Sequence, residues 1–196
     1  MDARSAKGSI AMLTSDALTI LPSDEPAILS VTDAVNPYVK RAIEYWNGLR
    51  GERRFPARDE LTLRGMAAIL PYCVIVSIVD SGADYEYRYV GEEQRQAYGV
   101  QFKGLRLSKV EAAAPQLGML LRGAYETVRA HGDPFVVRGR VASGSPDNKC
   151  LYHESVFLPL GATVVDHLLI VGVRVPQPFW DIPSNDLKVL VEKARA

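Results

Sequence analysis

The sequence has little cysteine and no surplus of either charge. Cys73 and Cys150 are the only cysteines, which is too few for a disulfide framework or a zinc site. A single disulfide is compatible with the sequence, but we expect two reduced thiols. The 23 basic and 23 acidic residues cancel, whereas nucleic-acid binding requires a basic surplus to contact phosphates. We therefore expect no nucleic-acid partner.

Long apolar runs are absent as well. No segment approaches the roughly 18 consecutive apolar residues of a membrane span, and residues 1–16 lack the apolar run of a secretory signal. These absences predict a cytoplasmic protein with no membrane partner. The 196 residues, 47% of them apolar, suffice for one domain with extensions. We expect a loose tail over 1–33, a domain over 34–176, and a proline-containing linker with a C-terminal helix over 177–196.

Motifs of catalysis and of metal binding are also missing. The chain has no Ser-His-Asp spacing, no HExxH pattern and no phosphate-binding glycine loop. His153 and Glu154 adjoin on a predicted strand, so they point to opposite faces and cannot form a local acid–base pair. We expect a non-enzymatic protein, and no cofactor is identified. A small enzyme on an α+β scaffold remains an alternative, because groups assembled from distant residues leave no local motif.

The most informative stretch that is present runs from Pro71 to Gly91. Residues 73–79 are almost wholly apolar and rich in β-branched side chains, which is typical of a buried strand. Residues 81–84 are turn formers, and tyrosine then alternates with other residues over 85–90. The stretch predicts two paired strands whose apolar face must be covered by helices.

An amphipathic helix is predicted over residues 33–50, with Pro37 favouring its start and Gly51 its end. Its apolar stripe has helical spacing and consists of Val35, Val39, Ala42, Trp46 and Leu49. Such a stripe must be buried, either on the chain's own domain or against the same helix of a second copy. Both interpretations remain open. In the second, these five residues form the interface of a homodimer, and we expect the protein to be a homodimer.

The second half of the chain predicts one long helix and three strands. Residues 115–131 follow helical spacing, with Pro115 in the first turn and Gly132 after the last. The strands are predicted over 135–141, 152–160 and 168–175, as an antiparallel meander. Short helices are predicted over 63–70 and 92–98, and residues 101–110 fit no pattern.

This order of elements resembles a PAS domain, and in detail a variant bacterial PAS family. The pieces that carry the resemblance are Tyr45-Trp46 with Leu49-Arg50, Phe55-Pro56-Ala57-Arg58, Ile69-Leu70-Pro71, Tyr87-Arg88-Tyr89-Val90-Gly91, Gly99 with Gly104, and Val156-Phe157-Leu158-Pro159-Leu160. The resemblance implies an α+β fold in which a five-stranded antiparallel sheet carries helices on one face and encloses a pocket. It also implies a sensory or regulatory module that signals through a small-molecule ligand, a signalling protein partner, or both.

Our candidates for the ligand-binding residues are Arg88, Tyr98, Phe102, Leu120 and Phe157. Arg88 stands mid-strand and would need a carboxylate or an anionic ligand if its face is covered. If its face is solvated, it is an ordinary strand arginine. Arg138 and Arg140 could extend the same basic strip if their strand neighbours that of Arg88. If Phe102, Leu120 and Phe157 instead fill the interior, the protein is a pure interaction module.

The resemblance also suggests what a cofactor would require. Haem-binding PAS domains take an axial histidine from the long helix, which makes His131 a candidate haem ligand. The helix dipole explains a histidine in the last turn equally well. Flavin-binding photosensors carry an Asn-Cys-Arg-Phe motif, and neither cysteine stands in one.

Overall fold

The computed structural model describes residues 27–98, 102–142 and 150–175. The predicted linker and C-terminal helix, the turn after residue 142 and most of the predicted tail lie outside them. The described strands are β1 (Ala27–Leu29), β2 (Cys73–Val79), β3 (Asp84–Val90), β4 (Phe135–Ala142), β5 (Cys150–Leu160) and β6 (His167–Val175). The described α-helices are α1 (Pro37–Arg50), α2 (Leu63–Met66), α3 (Glu92–Tyr98), α4 (Leu107–Ala113) and α5 (Pro115–His131).

The strands form one antiparallel sheet in the order β1-β4-β5-β6-β2-β3. The predicted α+β, PAS-like architecture is confirmed. The sheet has six strands, because the short β1 pairs with β4 at one edge, Ala27 lying opposite Arg138. The last three strands are the predicted meander, and β6 brings the chain back beside β2.

Helix α1 covers one face of the sheet. Its start is capped by the Asn36 side chain, which accepts a hydrogen bond from Tyr38 N at 2.9 Å. Gly51 ends it with φ 55°, in the left-handed region that favours glycine. The indole Nε1 of Trp46 donates to Pro159 O at 2.8 Å, which ties the last turn to the sheet.

The apolar stripe of α1 therefore packs on the chain's own domain. Val39, Ala42 and Trp46 are buried in the core that α1 forms with the sheet, and Leu49 is partly buried around it. Val35 is also partly buried there but precedes the helix, which begins at Pro37 and not at residue 33 as predicted. The outward face of the helix is polar instead, with Lys40, Arg41, Glu44 and Asn47 exposed. Of the two interpretations of the stripe, the geometry matches internal packing; homodimerisation itself stays a prediction.

A buried carboxylate connects α1 to the middle of the sheet. Glu154 is fully buried and accepts hydrogen bonds from Asn36 N at 2.8 Å and from Val35 N at 3.1 Å. Arg138, directly opposite on β4, donates from Nε to the second oxygen at 2.9 Å. The suggested basic strip with Arg88 is wrong, because β5, β6 and β2 separate β4 from β3. Arg138 neutralises a buried acid instead.

Helices α3, α4 and α5 cover the other face. Helix α4 lies in the region where the sequence showed no pattern, and tertiary contacts hold it. The Ser108 hydroxyl donates to Asp84 Oδ2 at 2.7 Å, and Glu111 pairs with Arg122 of α5 at 2.7 Å between Oε2 and NH2. The second core consists of the side chains between these helices and the sheet. The fold thus has two cores, one on each face of a shared sheet.

Cys73 is a free, buried thiol, and burial raises its pKa to about 12. Across the helices in the described ranges, none combines the length and apolar character of a membrane span.

Candidate functional site

A cavity of about 500 Å³ lies between the sheet and the long helix α5. The sheet contributes residues of β2 to β6 and the edge strand β1, and α5 contributes residues from Leu117 to Thr127. Alternation along the strands explains this placement, since every second side chain points to the α5 face. On β6, for example, Ile170, Gly172 and Arg174 line the cavity, whereas Val171 and Val173 belong to the α1 core.

Aromatic rings form much of the cavity wall. Tyr98 meets Phe102 edge to face at 5.3 Å between ring centroids, and Phe102 lies 5.2 Å from Tyr87. On the meander side, Phe135 stacks on Phe157 at 5.0 Å. Four of the five candidate ligand-binding residues thus line one cavity; they are Tyr98, Phe102, Leu120 and Phe157.

Arg88, the fifth candidate, is not at the cavity. The register between β2 and β3 shifts between Ile75 and Val76, which leaves Arg88 as the extra residue of a β-bulge. Its Nε donates to Ser77 Oγ at 2.8 Å and its NH1 pairs with Glu86 at 2.7 Å. The side chain is 50% exposed, as an ordinary strand arginine is on a solvated face.

The bulge also divides the predicted tyrosine face. Tyr85 and Tyr87 pack in the α5 core, whereas Tyr89 contacts the α1 core and donates its hydroxyl to Leu70 O at 3.3 Å. A bulge moves every later side chain to the other face. Uniform alternation was therefore the wrong expectation for this strand.

His131, the suggested haem ligand, lies outside the cavity. It is exposed in the last turn of α5, with its ring Nδ1 3.0 Å from Thr127 O. This is the helix-end role that the dipole explains. The residues that line the cavity do not include it.

One wall of the cavity is polar, and it lies where β5 and β6 pair. His153 is opposite Arg174, and Ser155 is opposite Gly172. Gln94 of α3 reaches this wall and is buried. Polar groups gathered at one end of an apolar cavity are typical of sites that orient an amphipathic ligand.

Gln94 has a fixed amide orientation. Its Nε2 donates to Tyr72 O at 3.0 Å and to Gly172 O at 2.5 Å. Because the amide nitrogen faces two carbonyls, the amide oxygen Oε1 points to Arg174, whose NH1 donates to it at 2.9 Å. The guanidinium also lies over the Tyr98 ring, 4.7 Å from its centroid. Two contacts thus hold Arg174 at the cavity wall.

His153 is held in a defined tautomer. Its Nδ1 lies 3.1 Å from Gly139 O, and a carbonyl can only accept, so Nδ1 carries the hydrogen. In the neutral ring, Nε2 then keeps its lone pair. Burial and the positive charge of Arg174 together lower the pKa of His153 to about 4, although the hydrogen bond to Gly139 O raises it. The imidazole is therefore neutral at physiological pH.

Sequence reasoning assigned no role to Arg174, His153 or Gln94. One of them could have been found from the sequence, since Arg174 is a charged residue inside the otherwise apolar run 168–175. A buried arginine needs an anionic or strongly polar partner, so this position was a candidate binding residue. Gln94 had no signal at all, since its role depends on α3 docking beside β6.

The mouth of the cavity has an apolar rim. Ile28 of β1 is 72% exposed, and Met119 and Leu120 of α5 are 70% and 43% exposed. All three also line the cavity. The rim leaves an apolar entrance between the edge strand and α5.

The cavity lining has few groups suited to acid–base chemistry. Apart from tyrosines, its ionisable residues among those described are His153 and Arg174, and no carboxylate, thiol or lysine lines it there. In the part of the chain that the structure describes, no cluster of His, Cys, Asp or Glu could hold a metal ion. The geometry is that of a binding site with one cationic wall.

Comparison with protein-family models places this site in a known family. The model described as PAS domain matches residues 35–175, well over half of the 196 residues. Comparisons with curated proteins and with solved structures found no match. Since the match covers five of the six described strands and the helices on both faces, the chain belongs to the PAS domain family, whose members are generally non-catalytic sensory modules.

Proposed function

We propose that this protein is a non-enzymatic sensor that binds an amphipathic small molecule in the cavity between the sheet and α5. The observation that carries this proposal is the cavity itself. Its volume of about 500 Å³ falls within the roughly 300–1,000 Å³ of small-molecule sites. Its lining is mainly apolar, and Gln94, His153, Ser155 and Arg174 lie together on one wall.

The alternative of a pure interaction module requires an interior filled by side chains. Phe102, Leu120 and Phe157 were the residues expected to fill it, and each lines the cavity instead. This placement favours a ligand.

The alternative of a small enzyme requires an acid and a base that converge on a substrate. In the described lining, His153 faces Arg174, which stays protonated in proteins, and no carboxylate completes a pair. This arrangement favours binding over catalysis.

Helix α5 is the element through which binding would be signalled. Leu117, Leu120 and Leu121 contribute to the cavity from its first half, and Met119 is exposed on the same helix. An occupied cavity would favour one packing of α5 on the sheet, and a protein partner that contacts the helix would detect the change. A homodimer or a separate signalling protein are both suitable partners.

Native mass spectrometry of the protein purified from its own host, with an absorption spectrum of the same sample, tests the proposal. We expect a bound small molecule that is lost in the variant Ala124→Phe, which places a ring in the cavity. Ala130→Phe is the matched control, because Ala130 is exposed on the same helix and its variant should retain the ligand.

Two outcomes would contradict the proposal. Protein without a bound mass in both the wild type and the control would favour the interaction module. A ligand retained equally by Ala124→Phe would mean that the molecule binds outside this cavity. A visible chromophore would identify the ligand as a pigment.

A further inference from the structure

If the cavity binds an amphipathic molecule, as proposed above, its polar wall determines the head group. We infer that the ligand is a monocarboxylate whose carboxylate binds to Arg174 and whose apolar body extends toward Phe102 and Leu120. The Ser155 hydroxyl, on the neighbouring strand, provides a second donor on the same wall.

The first argument is the charge of Arg174. The guanidinium is partly buried, and no carboxylate of the described ranges lies within ion-pair distance of it. Its contacts there are the neutral oxygen of Gln94 and the face of Tyr98. Other arginines at the sheet or on α5, such as Arg138 and Arg122, have acidic partners. A partly buried cation without such a partner favours an anion.

The second argument is geometry. A guanidinium has five N–H donors in a rigid fork that matches a carboxylate, and the bond to Gln94 uses NH1 alone. Gln94 is a positioning residue, since its own amide is held by Tyr72 O and Gly172 O. The fork is therefore oriented before any ligand arrives, which lowers the entropic cost of binding.

The third argument is the amount of charge. The described wall carries one cation, because His153 stays neutral beside Arg174, and no second arginine or lysine lines the cavity there. One cation balances one negative charge, whereas a phosphate dianion would leave charge uncompensated in a largely apolar site. A single carboxylate therefore fits better than a phosphate.

Calorimetric titration with matched pairs of acids and alcohols tests the inference on the full chain. The probes are decanoate against decanol and phenylbutyrate against phenylbutanol, at neutral pH. We expect the acid of at least one pair to bind roughly tenfold to hundredfold more tightly than its alcohol, as a charged hydrogen bond implies. Arg174→Met should remove this preference and leave the affinity for the alcohol nearly unchanged. Arg88→Met, on the opposite face of the sheet, should retain it.

The outcomes separate the head group from the function. Acids and alcohols that bind equally would overturn the carboxylate assignment and leave the sensor intact. If no probe binds and no bound mass is found in protein from the host, the carboxylate assignment and the proposed sensor function would both be wrong.

A measurement on the wild type guards against a variant that does not fold. The carboxyl pKa of isotope-labelled decanoate, read by NMR, should be lower when bound than when free, because Arg174 stabilises the anion. A raised value would place the carboxyl in the apolar part of the cavity and overturn the inference.

Discussion

His153 and Glu154 show how far neighbouring residues diverge in a strand. Glu154 is buried under α1 and is balanced by Arg138, whereas His153 lines the cavity beside Arg174. The sequence places them on opposite faces, which the structure confirms. It does not identify the partner of either, because those partners come from β4, β6 and the start of α1.

The lowered pKa of His153 predicts a pH-dependent stability. In the unfolded chain the imidazole has its ordinary pKa of 6.5, whereas in the folded chain its pKa is about 4. Stability should therefore fall as the pH decreases through this window, by up to about 2 kcal/mol between pH 6.5 and about pH 5. In His153→Asn, whose side-chain amide can still donate to Gly139 O, this part of the slope should disappear.

Urea unfolding at several pH values measures the effect, and the difference between wild type and variant removes the contribution of carboxylates. His131→Asn is the control, since His131 is exposed at the end of α5. If wild type and His153→Asn lose stability in parallel, the imidazole is not protected from protonation.

At the scale of elements, α1 depends on tertiary contacts as much as on its own sequence. Its limits follow from local chemistry, with a cap at Asn36 and an end at Gly51. Its position depends on Glu154, whose carboxylate receives the backbone N–H groups of Val35 and Asn36. An acidic group at a helix start also complements the helix dipole.

Glu154→Gln should loosen α1 from the sheet. Loss of the charge leaves Arg138 poorly balanced and weakens the bonds to the helix start, so we expect a loss of about 2–4 kcal/mol in the free energy of unfolding. Denaturant unfolding measures the loss, and hydrogen exchange should show faster exchange over Pro37–Arg50. Glu92→Gln removes the 50% exposed partner of Arg95 and should cost less than about 1 kcal/mol. Equal losses in both variants would mean that Glu154 contributes no more than a surface pair.

At the scale of the whole molecule, one sheet connects two cores. Successive residues of β6 alternate between them, with Val171 and Val173 on the α1 side and Ile170 on the cavity side. Neither core can lose its packing without disturbing strands that serve the other. The described domain should therefore unfold cooperatively.

Scanning calorimetry tests this cooperativity. Trp46→Ala removes a buried indole from the α1 core, and we expect it to lower the midpoint of a single transition through a loss of about 3–5 kcal/mol. Decanoate, bound in the cavity, should raise the midpoint of the same transition. At a decanoate concentration a hundred times its dissociation constant, the free energy of unfolding should rise by about 2.7 kcal/mol. Asn47→Ala, exposed on α1, is the control. Two transitions that respond separately would contradict the shared sheet.

Homodimerisation of the whole chain stays a prediction. Because Trp46 is in the chain's own core, Trp46→Ala reports on stability and no longer discriminates a dimer from a monomer. Light scattering of the wild type at micromolar concentration gives the mass directly.

Much of the fold could be predicted because its signals are local. The helices at 37–50 and 115–131 are marked by spacing, proline and glycine, and the strands at 73–79 and 167–175 by apolar β-branched runs. Helix α4 could not be predicted, since its stability comes from contacts with Asp84 and α5. The bulge at Arg88 was equally invisible, because register is a property of two strands together.

Local sequence identifies most of the helices and strands, although not α4, and the residues that are apolar enough to be buried. It also identifies the family to which the chain belongs. The tertiary structure decided which of those buried surfaces enclose a cavity and which polar groups reach it. The physical reason is that periodicity is written in neighbouring residues, whereas the Arg174, Gln94 and His153 wall joins β6, α3 and β5. Only the pairing of the strands and the docking of α3 bring these side chains within a few ångströms of one another.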